Sequence, residues 1–410
     1  MKNKTQVLDL TATSTERPVI LVFVRHYLPG DKSGGPVRSV ANLVNKLGEE
    51  FDFKIVTSDR DWTDTKSYQD VVVDAWNQVG KANVFYLSPK NCSFAFIAKM
   101  LSTELYDVLY LNSFFDEVFT QKPLWAKKFG FASMKPVIIA PRGEFSPGAR
   151  ALKRWKKAPY TWIASRIGLF NHVIWHASTE HEVSNIKSYL NFSKLQNVRI
   201  ASDIPSEIPS DISSNYLLDG KSPHVLRVVF LSRITPKKNL DFALSVLAKV
   251  KTPVQFNIYG PVGEKNYWHR CKLLMGELPS NITVQYVGAL AHFEVSEVLR
   301  SHDLFFFPTW GENYGHVIIE SLSVGTPILI SDTTPWRNLE EMGVGWDLPL
   351  NDEQAFVNSI HVAARCSADA RREWRKRVIS YAREVVVNPD IVTANRRLFL
   401  EAIGNQPQQN

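Results

Sequence analysis

The chain predicts two α/β domains, each built on a doubly wound, mostly parallel sheet, facing each other across a cleft. Three observations carry this expectation. Apolar runs of strand length alternate with amphipathic stretches through both halves, the pattern of parallel sheets covered by helices. The alternation stops at residues 201–224, ASDIPSEIPSDISSNYLLDGKSPH, where Ser, Pro and Asp gather without a period, and then restarts; that stretch reads as a linker. Finally, 410 residues with 44% apolar side chains are too many for one ordinary core and enough for two.

The elements follow in order. In the first domain, residues 1–200, strands are expected at Val19–Val24, Phe53–Thr57, Val84–Leu87, Val108–Leu111, Val137–Ala140 and His172–His176, with helical pattern between them, as at Val37–Gly48 and Ser93–Leu105. Residues 58–82 break the rhythm and read as an insertion or long loop. In the second domain, residues 225–385, strands are expected at Val225–Leu231, Val254–Tyr259, Ile282–Tyr286, Leu304–Phe307 and Pro327–Ile330. Helices are expected near Asn239–Lys249, Lys265–Leu278, Phe293–Ser301 and Gly315–Val324, and the tail from Glu353 to Ile403 reads as mainly helical. Ligands of such sheets bind outside the carboxyl ends of the strands, so the chemistry belongs in loops that follow strands.

Composition narrows the function. Cys92, Cys271 and Cys366 are odd in number and scattered, which suits a reducing compartment and argues against a disulfide framework or a CxxC zinc site. No segment reaches the ~18 to 20 apolar residues that span a bilayer, and the opening MKNKTQVLDLTATSTER lacks the apolar centre of a leader peptide. The chain is therefore expected in the cytoplasm, with a peripheral position on the cytoplasmic face of the inner membrane left open. The net charge of +7 is concentrated. Residues 142–166 carry seven cations against the one acid Glu144, interleaved with Trp155, Tyr160 and Trp162. That patch fits either a solvated helix face or a contact with anionic lipid or an anionic acceptor.

Three constellations carry chemistry. Ser33-Gly34-Gly35-Pro36 follows the first strand and opens a helix; glycines there let backbone approach a phosphate, and the helix start supplies donors. It is not a GxGxxG fingerprint. Arg233 and Lys238 follow the first strand of the second domain, Lys238 in the expected first turn of the next helix. Cations at a helix start oppose the dipole preference, so an anion is expected beside them, and a forked Arg next to a point-charge Lys suits a diphosphate. The third constellation is PTWGENYGHVIIE, residues 308–320. Glu312 precedes a helix whose first amides, near Asn313, Tyr314 and Gly315, are free for an anion or sugar hydroxyls. Glu320 lies on the helix wall, and its acceptor-only carboxylate can hold both hydroxyls of a ribose. Together they fit a diphosphate with a ribose on one side and a polyhydroxy group on the other.

On these residues the chain resembles the family 4 glycosyltransferases of the bacterial cell-surface polysaccharide type, which have the GT-B fold of two Rossmann-like domains and retaining chemistry. Glu312 and Glu320 match the family's Glu-x7-Glu, Arg233 and Lys238 its cation pair, and Gly34-Gly35 its glycine loop. The segment from about Val228 to Leu350 is typical throughout; the first 200 residues match in architecture and in pieces such as APRGEF and Ser178-Thr179-Glu180. The resemblance implies an N-terminal acceptor domain, a C-terminal domain that binds the nucleotide-sugar, and a last helix, about 386–405, that crosses back to the first domain. It implies that Arg233 and Lys238 neutralise the leaving diphosphate and that Glu312 holds the donor sugar. Glu320 would hold the ribose, Asn313, Tyr314 and Gly315 would line the sugar and phosphate site, and Gly260 would lie near the nucleotide. No metal or other cofactor is expected. The implied partners are a nucleotide-sugar, UDP-linked before GDP-linked, and a glycan or lipid-linked saccharide acceptor; nucleic acid is not expected. One departure stands out. Many relatives carry a His in the N-terminal loop that meets the donor sugar, whereas the corresponding loop here, Pro141-Arg142-Gly143-Glu144-Phe145, has none, which leaves Arg142 or Glu144 for the acceptor side.

Other signals are weaker. Asp59-Arg60-Asp61 has the form of a DxD motif but lacks a second carboxylate cluster, and it reads as a solvated loop. His172 and His176 have the spacing of a metalloprotease pair, but Val173 stands where a Glu would be needed and no acid near them or near His181 completes a zinc set; structural or acceptor-side roles suit them better. The Trp310-Gly311 pair reads either as a turn with a packed aromatic or as part of the Glu312 constellation. A nucleotide-sugar epimerase of the same fold and a non-enzymatic polyanion binder remain alternatives to transfer.

Overall fold

The computed structural model describes residues 17–30, 32–146, 149, 154–190, 197–208 and 225–404. Its first sheet has eight strands: β1 (Val19–Phe23), β2 (Asp52–Ser58), β3 (Trp76–Val79), β4 (Ala82–Leu87), β5 (Val108–Asn112), β6 (Val137–Ala140), β7 (Val173–Ala177) and β8 (Val198–Ile200), in the spatial order β3-β4-β2-β1-β5-β6-β7-β8. All neighbours are parallel except β3, which pairs antiparallel with β4. Side chains alternate across a strand, and β1 shows what that achieves. Ile20 and Val22 enter a core on one face that includes Tyr110 and Phe399, while Leu21 and Phe23 enter a second core on the other. A strand buried on both faces reads as a continuous apolar run, which is why β1, β5, β6 and β7 were legible.

The second sheet has six strands, all parallel: β9 (Leu226–Leu231), β10 (Val254–Tyr259), β11 (Ile282–Gly288), β12 (Leu304–Phe307), β13 (Ile328–Ser331) and β14 (Gly345–Leu348), in the order β11-β10-β9-β12-β13-β14. The chain runs outward from β9 in one direction and returns beside it at β12. In the first sheet β5 returns beside β1 in the same way. Loops diverge at these switch points and open a crevice.

The expected strands are present within one or two residues, but β3, β8 and β14 went unread. They are short edge strands of mixed polarity, and β3 occupies the 58–82 break. The linker divides: residues 201–208 are described and place Asp203 and Ile204 in buried positions, whereas 209–224 lie outside the described residues. Three helices form the tail, Glu353–Arg365, Ala368–Val387 and Pro389–Gly404. The last lies on the first domain. Phe399 packs 5.5 Å from Phe51 and 5.4 Å from Tyr110, ring centre to ring centre, Asn395 donates to the Ser202 carbonyl at 2.8 Å, and Arg396 pairs with Glu50 at 2.6 Å. Among the described residues no helix is long and apolar enough to cross a membrane.

Candidate active site

The glycine loop lies at the carboxyl end of β1. The helix it opens runs Gly35–Leu47, two residues earlier than the sequence pattern suggested, with Pro36 in its first turn and Gly34 before it at φ 73°. A side chain is strained at that φ, so glycine suits the position. Asp61 fixes the loop from the side: its carboxylate accepts from the Lys32 amide at 2.9 Å and the Ser33 hydroxyl at 2.9 Å. The expectation that Asp59-Arg60-Asp61 forms a solvated loop is therefore overturned. Both acids are buried, because Asp61 is consumed by the glycine loop and Asp59 by Arg60 at 2.7 Å.

At the end of β9 the chain passes Arg233 into a short 3₁₀ turn, Pro236–Lys238, and then Asn239 adopts the left-handed conformation (φ 61°) before the helix Leu240–Leu247 begins. Lys238 thus precedes that helix, contrary to the expectation that it lies in the first turn. Asn239 makes the break by turning its side-chain amide to the Pro308 carbonyl at 2.9 Å. Gly260, after β10, is required sterically: at φ 128° an added Cβ would lie 1.9 Å from the Ser232 carbonyl oxygen.

Lys238 Nζ meets Glu312 Oε1 at 2.5 Å, and the Thr309 hydroxyl donates to the same oxygen at 3.1 Å. Burial would push the Glu312 carboxyl up, but the charges of Lys238 and Lys237 outweigh it and hold the group below the ordinary glutamate value. Burial also pulls the Lys238 ammonium down, against the attraction of Glu312. Arg233 makes no side-chain hydrogen bond or ion pair among the described residues; its guanidinium carbon lies 5.5 Å from the centre of the Trp62 ring. A half-buried cation with uncommitted donors is poised for an anion.

Glu320 lies on the helix His316–Ser323, whose N-cap is Gly315 at φ 85°. It too has no hydrogen-bond or ion-pair partner among the described residues. Burial raises its carboxyl above the ordinary value, offset in part by His316 and Arg38. The helix start is anchored on both sides: Trp336 Nε1 donates to the Tyr314 carbonyl at 2.6 Å, and the Asn313 amide donates to Ser178 Oγ of the first domain at 3.0 Å.

A single cavity of about 310 Å³ between the domains collects these groups. Gly34, Gly35 and Arg142 line it from one side; Arg233, Lys238, Gly260, Glu312, Asn313, Tyr314, Gly315 and Glu320 line it from the other. Glu144 is absent from the lining. Its carboxylate turns into the first domain, where it accepts from Ser113 Oγ at 3.0 Å and from the amides of Phe114 and Phe115 at 2.6 and 3.0 Å. The expectation that Glu144 faces the acceptor is corrected accordingly.

The structure also brings in residues the sequence did not single out. Asp203, read as linker, is buried between Arg142, with which it pairs, and Ser39 Oγ, which donates to it at 2.8 Å. Ser39 lies in turn 3.0 Å from His316 Nε2. Arg142 also donates to Asn112 at 2.8 and 3.1 Å and to the Tyr110 hydroxyl at 2.8 Å. Burial disfavours both charges, yet their mutual attraction wins, holding Asp203 far below and Arg142 above their ordinary values. Arg142 is therefore a buried structural cation at the cavity wall and does not belong to the surface of the 142–166 patch. His176 is committed within the fold, to Tyr110 and the Ala201 carbonyl, both at 2.8 Å. Trp310 is exposed rather than packed, its amide fixed to the Lys237 carbonyl at 2.9 Å.

Residues 220–385 match the family model described as glycosyl transferases group 1. The match spans the C-terminal domain and leaves the first 219 residues outside it. Among curated relatives, the phosphatidyl-myo-inositol mannosyltransferase of Mycobacterium leprae is 28% identical over 193 residues, covering 42% of this chain and 50% of that protein. A D-inositol 3-phosphate glycosyltransferase of Mycobacterium sp. (strain KMS) is 26% identical over 155 residues, covering 37% and 35%. The chain spans half or less of the length of these relatives. Solved structures cover it almost entirely. HepE of Anabaena, in complex with UDP and glucose, superposes with a TM-score of 0.64 at 17% identity over 95% of this chain and 100% of that one. Sucrose-phosphate synthase of Thermosynechococcus elongatus reaches 0.69 at 14% identity over the same shares. The fold is GT-B. The matched segment contributes Arg233, Lys238, Gly260 and Glu312 to Glu320; the glycine loop, Arg142 and Asp203 lie outside it and close the cavity from the other domain.

Proposed function

We propose that the protein is a retaining, metal-independent glycosyltransferase. It would move a hexose-type sugar from a nucleotide diphosphate, UDP before GDP, to a glycan or lipid-linked acceptor in cell-surface polysaccharide or lipopolysaccharide assembly. The observation that carries this reading is the convergence of Arg233, Lys238, Glu312 and Glu320 on one cavity faced by the glycine loop. Arg233 and Lys238 supply fixed positive charge where the leaving diphosphate develops negative charge, which is the task a metal performs elsewhere. The amides of Gly34 and Gly35 approach the same group from the opposite lobe. Glu312, with Oε1 held by Lys238 and Thr309, offers Oε2 to hydroxyls of the donor sugar. Glu320 accepts from both ribose hydroxyls. The departing phosphate oxygen then takes the acceptor's proton on the face it leaves. The neighbour crystallised with UDP and glucose supports the choice of UDP.

Calorimetry with UDP and GDP in EDTA tests the reading; binding of neither would sink it. An epimerase would convert UDP-GlcNAc without an acceptor, which NMR of enzyme and donor alone would reveal.

A peripheral contact with anionic inner-membrane lipid belongs to the same proposal. The helix Arg154–Arg166 exposes Trp155, Trp162 and Ile163, apolar side chains of the kind that enter a headgroup layer. Residues 147, 148 and 150–153 of the patch lie outside the described residues, and Lys157 turns inward to the Ala149 carbonyl at 2.7 Å. Flotation on anionic vesicles should be lost in Trp155→Ser/Trp162→Ser; undiminished flotation overturns the contact.

A further inference from the structure

Trp62 belongs to the segment between β2 and β3 that broke the sequence pattern. That segment is stitched to the glycine loop. Asp61 holds the Lys32 amide and the Ser33 hydroxyl, Lys32 Nζ reaches Asp64 at 2.6 Å, and the Tyr68 amide donates to the Asp59 carbonyl at 2.8 Å. Thr63, at φ 67°, turns the chain directly after Trp62. The indole crosses to the other domain. Its ring lies 5.5 Å from the guanidinium carbon of Arg233, and a Cβ placed on Gly263 would lie 3.6 Å from its Cη2. Arg233 and Gly263 form one notch, joined by the Gly263 amide to the Ile234 carbonyl at 3.0 Å and by the Ile234–Val262 bridge.

We propose that Trp62 is a positioning residue for the pyrophosphate of the donor. A cation–π contact holds a guanidinium through the ring face and takes up none of its N–H donors. Arg233 has no carboxylate to hold it among the described residues, so Trp62 restricts its rotamers and lowers the ordering cost of gripping an anion. The same segment, through Asp61, sets the glycine loop that offers amides from the opposite lobe. One loop of the first domain thereby registers both halves of the phosphate site. This inference rests on the donor-site reading above.

The test is calorimetry with UDP and with uridine on wild type, Trp62→Ala, Trp62→Phe, Arg233→Ala and the Trp62→Ala/Arg233→Ala double variant. A partly desolvated cation–π contact implies a loss of about tenfold in UDP affinity for Trp62→Ala. Uridine affinity should be unchanged, Trp62→Phe should recover most of the loss, and the double variant should bind no worse than Arg233→Ala. Unchanged UDP affinity in Trp62→Ala overturns the proposal. So does an equal loss for uridine, or a full loss that persists without Arg233. Failure of the wild type to bind UDP or GDP would strike the donor-site reading itself, and is seen before any variant is measured.

Discussion

Nε2 of His316, in the second domain, lies 3.0 Å from Oγ of Ser39, in the first. Ser39 has one proton, and Asp203 Oδ2, at 2.8 Å, is the stronger acceptor for it, so the serine accepts from His316 N–H. The two lobes are thus joined through a hydrogen bond backed by a buried carboxylate. Ser39→Ala removes the joint without adding bulk. We expect a loss of roughly 1 to 2 kcal/mol in urea unfolding at an unchanged m-value, together with weaker nucleotide binding. An unaltered midpoint would show that the lobes are held by other contacts.

The Lys238–Glu312 pair is largely buried, with side-chain exposures of 15% and 13%. Removing one partner strands the other. Lys238→Ala should therefore cost roughly 3 kcal/mol or more in stability as well as turnover. Lys238→Met with Glu312→Gln leaves no stranded charge and should recover most of the stability, yet none of the turnover, because the leaving diphosphate of the proposed reaction would lose its cation. Glu312→Ala alone should lower turnover more than nucleotide affinity. Urea denaturation beside a nucleotide-release assay separates these effects.

The difference between what was legible and what was not follows sequence separation. The strands around β1 and β12 declare themselves because both faces are buried, and Glu312 and Glu320 because both lie on one local segment. Ser39, Asp203 and His316 carry no local signal. Asp203 is 61 residues from Arg142 and 164 from Ser39, and Ser39 is 277 from His316; only the folded chain brings them together. The sequence puts Lys238 in the first turn of the helix Leu240–Leu247 because the left-handed turn at Asn239 leaves no mark on the helical pattern. Asp61 reads as solvated because a DxD in a polar stretch carries no sign of the glycine loop that lies against it.

Glu320 provides a pH signature. Its folded value is raised by burial, so the ionised form is disfavoured in the cavity, and that cost grows as pH rises through the unfolded and then the folded value. Glu320→Gln should then raise the Tm at neutral pH while weakening UDP binding by roughly tenfold, the trade-off of a site held ready for a ligand. In the wild type, UDP affinity should fall on acidification at a pH above the ordinary glutamate value, since a protonated carboxyl would no longer accept from both hydroxyls of the proposed ribose. Titration of UDP affinity from roughly pH 4 to 7.5, which spans the ordinary glutamate value, checks this. Equal affinity in wild type and Glu320→Gln would remove the ribose role.

His176 gives the opposite acid response. It is 2% exposed, and burial, with Arg142 nearby, pulls its imidazole down from 6.5 to about 4. The Ala201 carbonyl can only accept, so Nε2 carries the proton and Nδ1 accepts from the Tyr110 hydroxyl. Between pH 6.5 and about 4 the unfolded chain binds a proton that the folded one refuses, so stability falls as pH drops through that window and levels off below it. A shift of this size corresponds to about 3 kcal/mol. Glutamine can present an amide oxygen to Tyr110 and an N–H to Ala201 without titrating. His176→Gln should therefore flatten the loss of stability between pH 6.5 and 4, read as urea midpoints at each pH, while leaving UDP affinity unchanged. A variant whose midpoints still track the wild type across that window would show that another group drives the acid response.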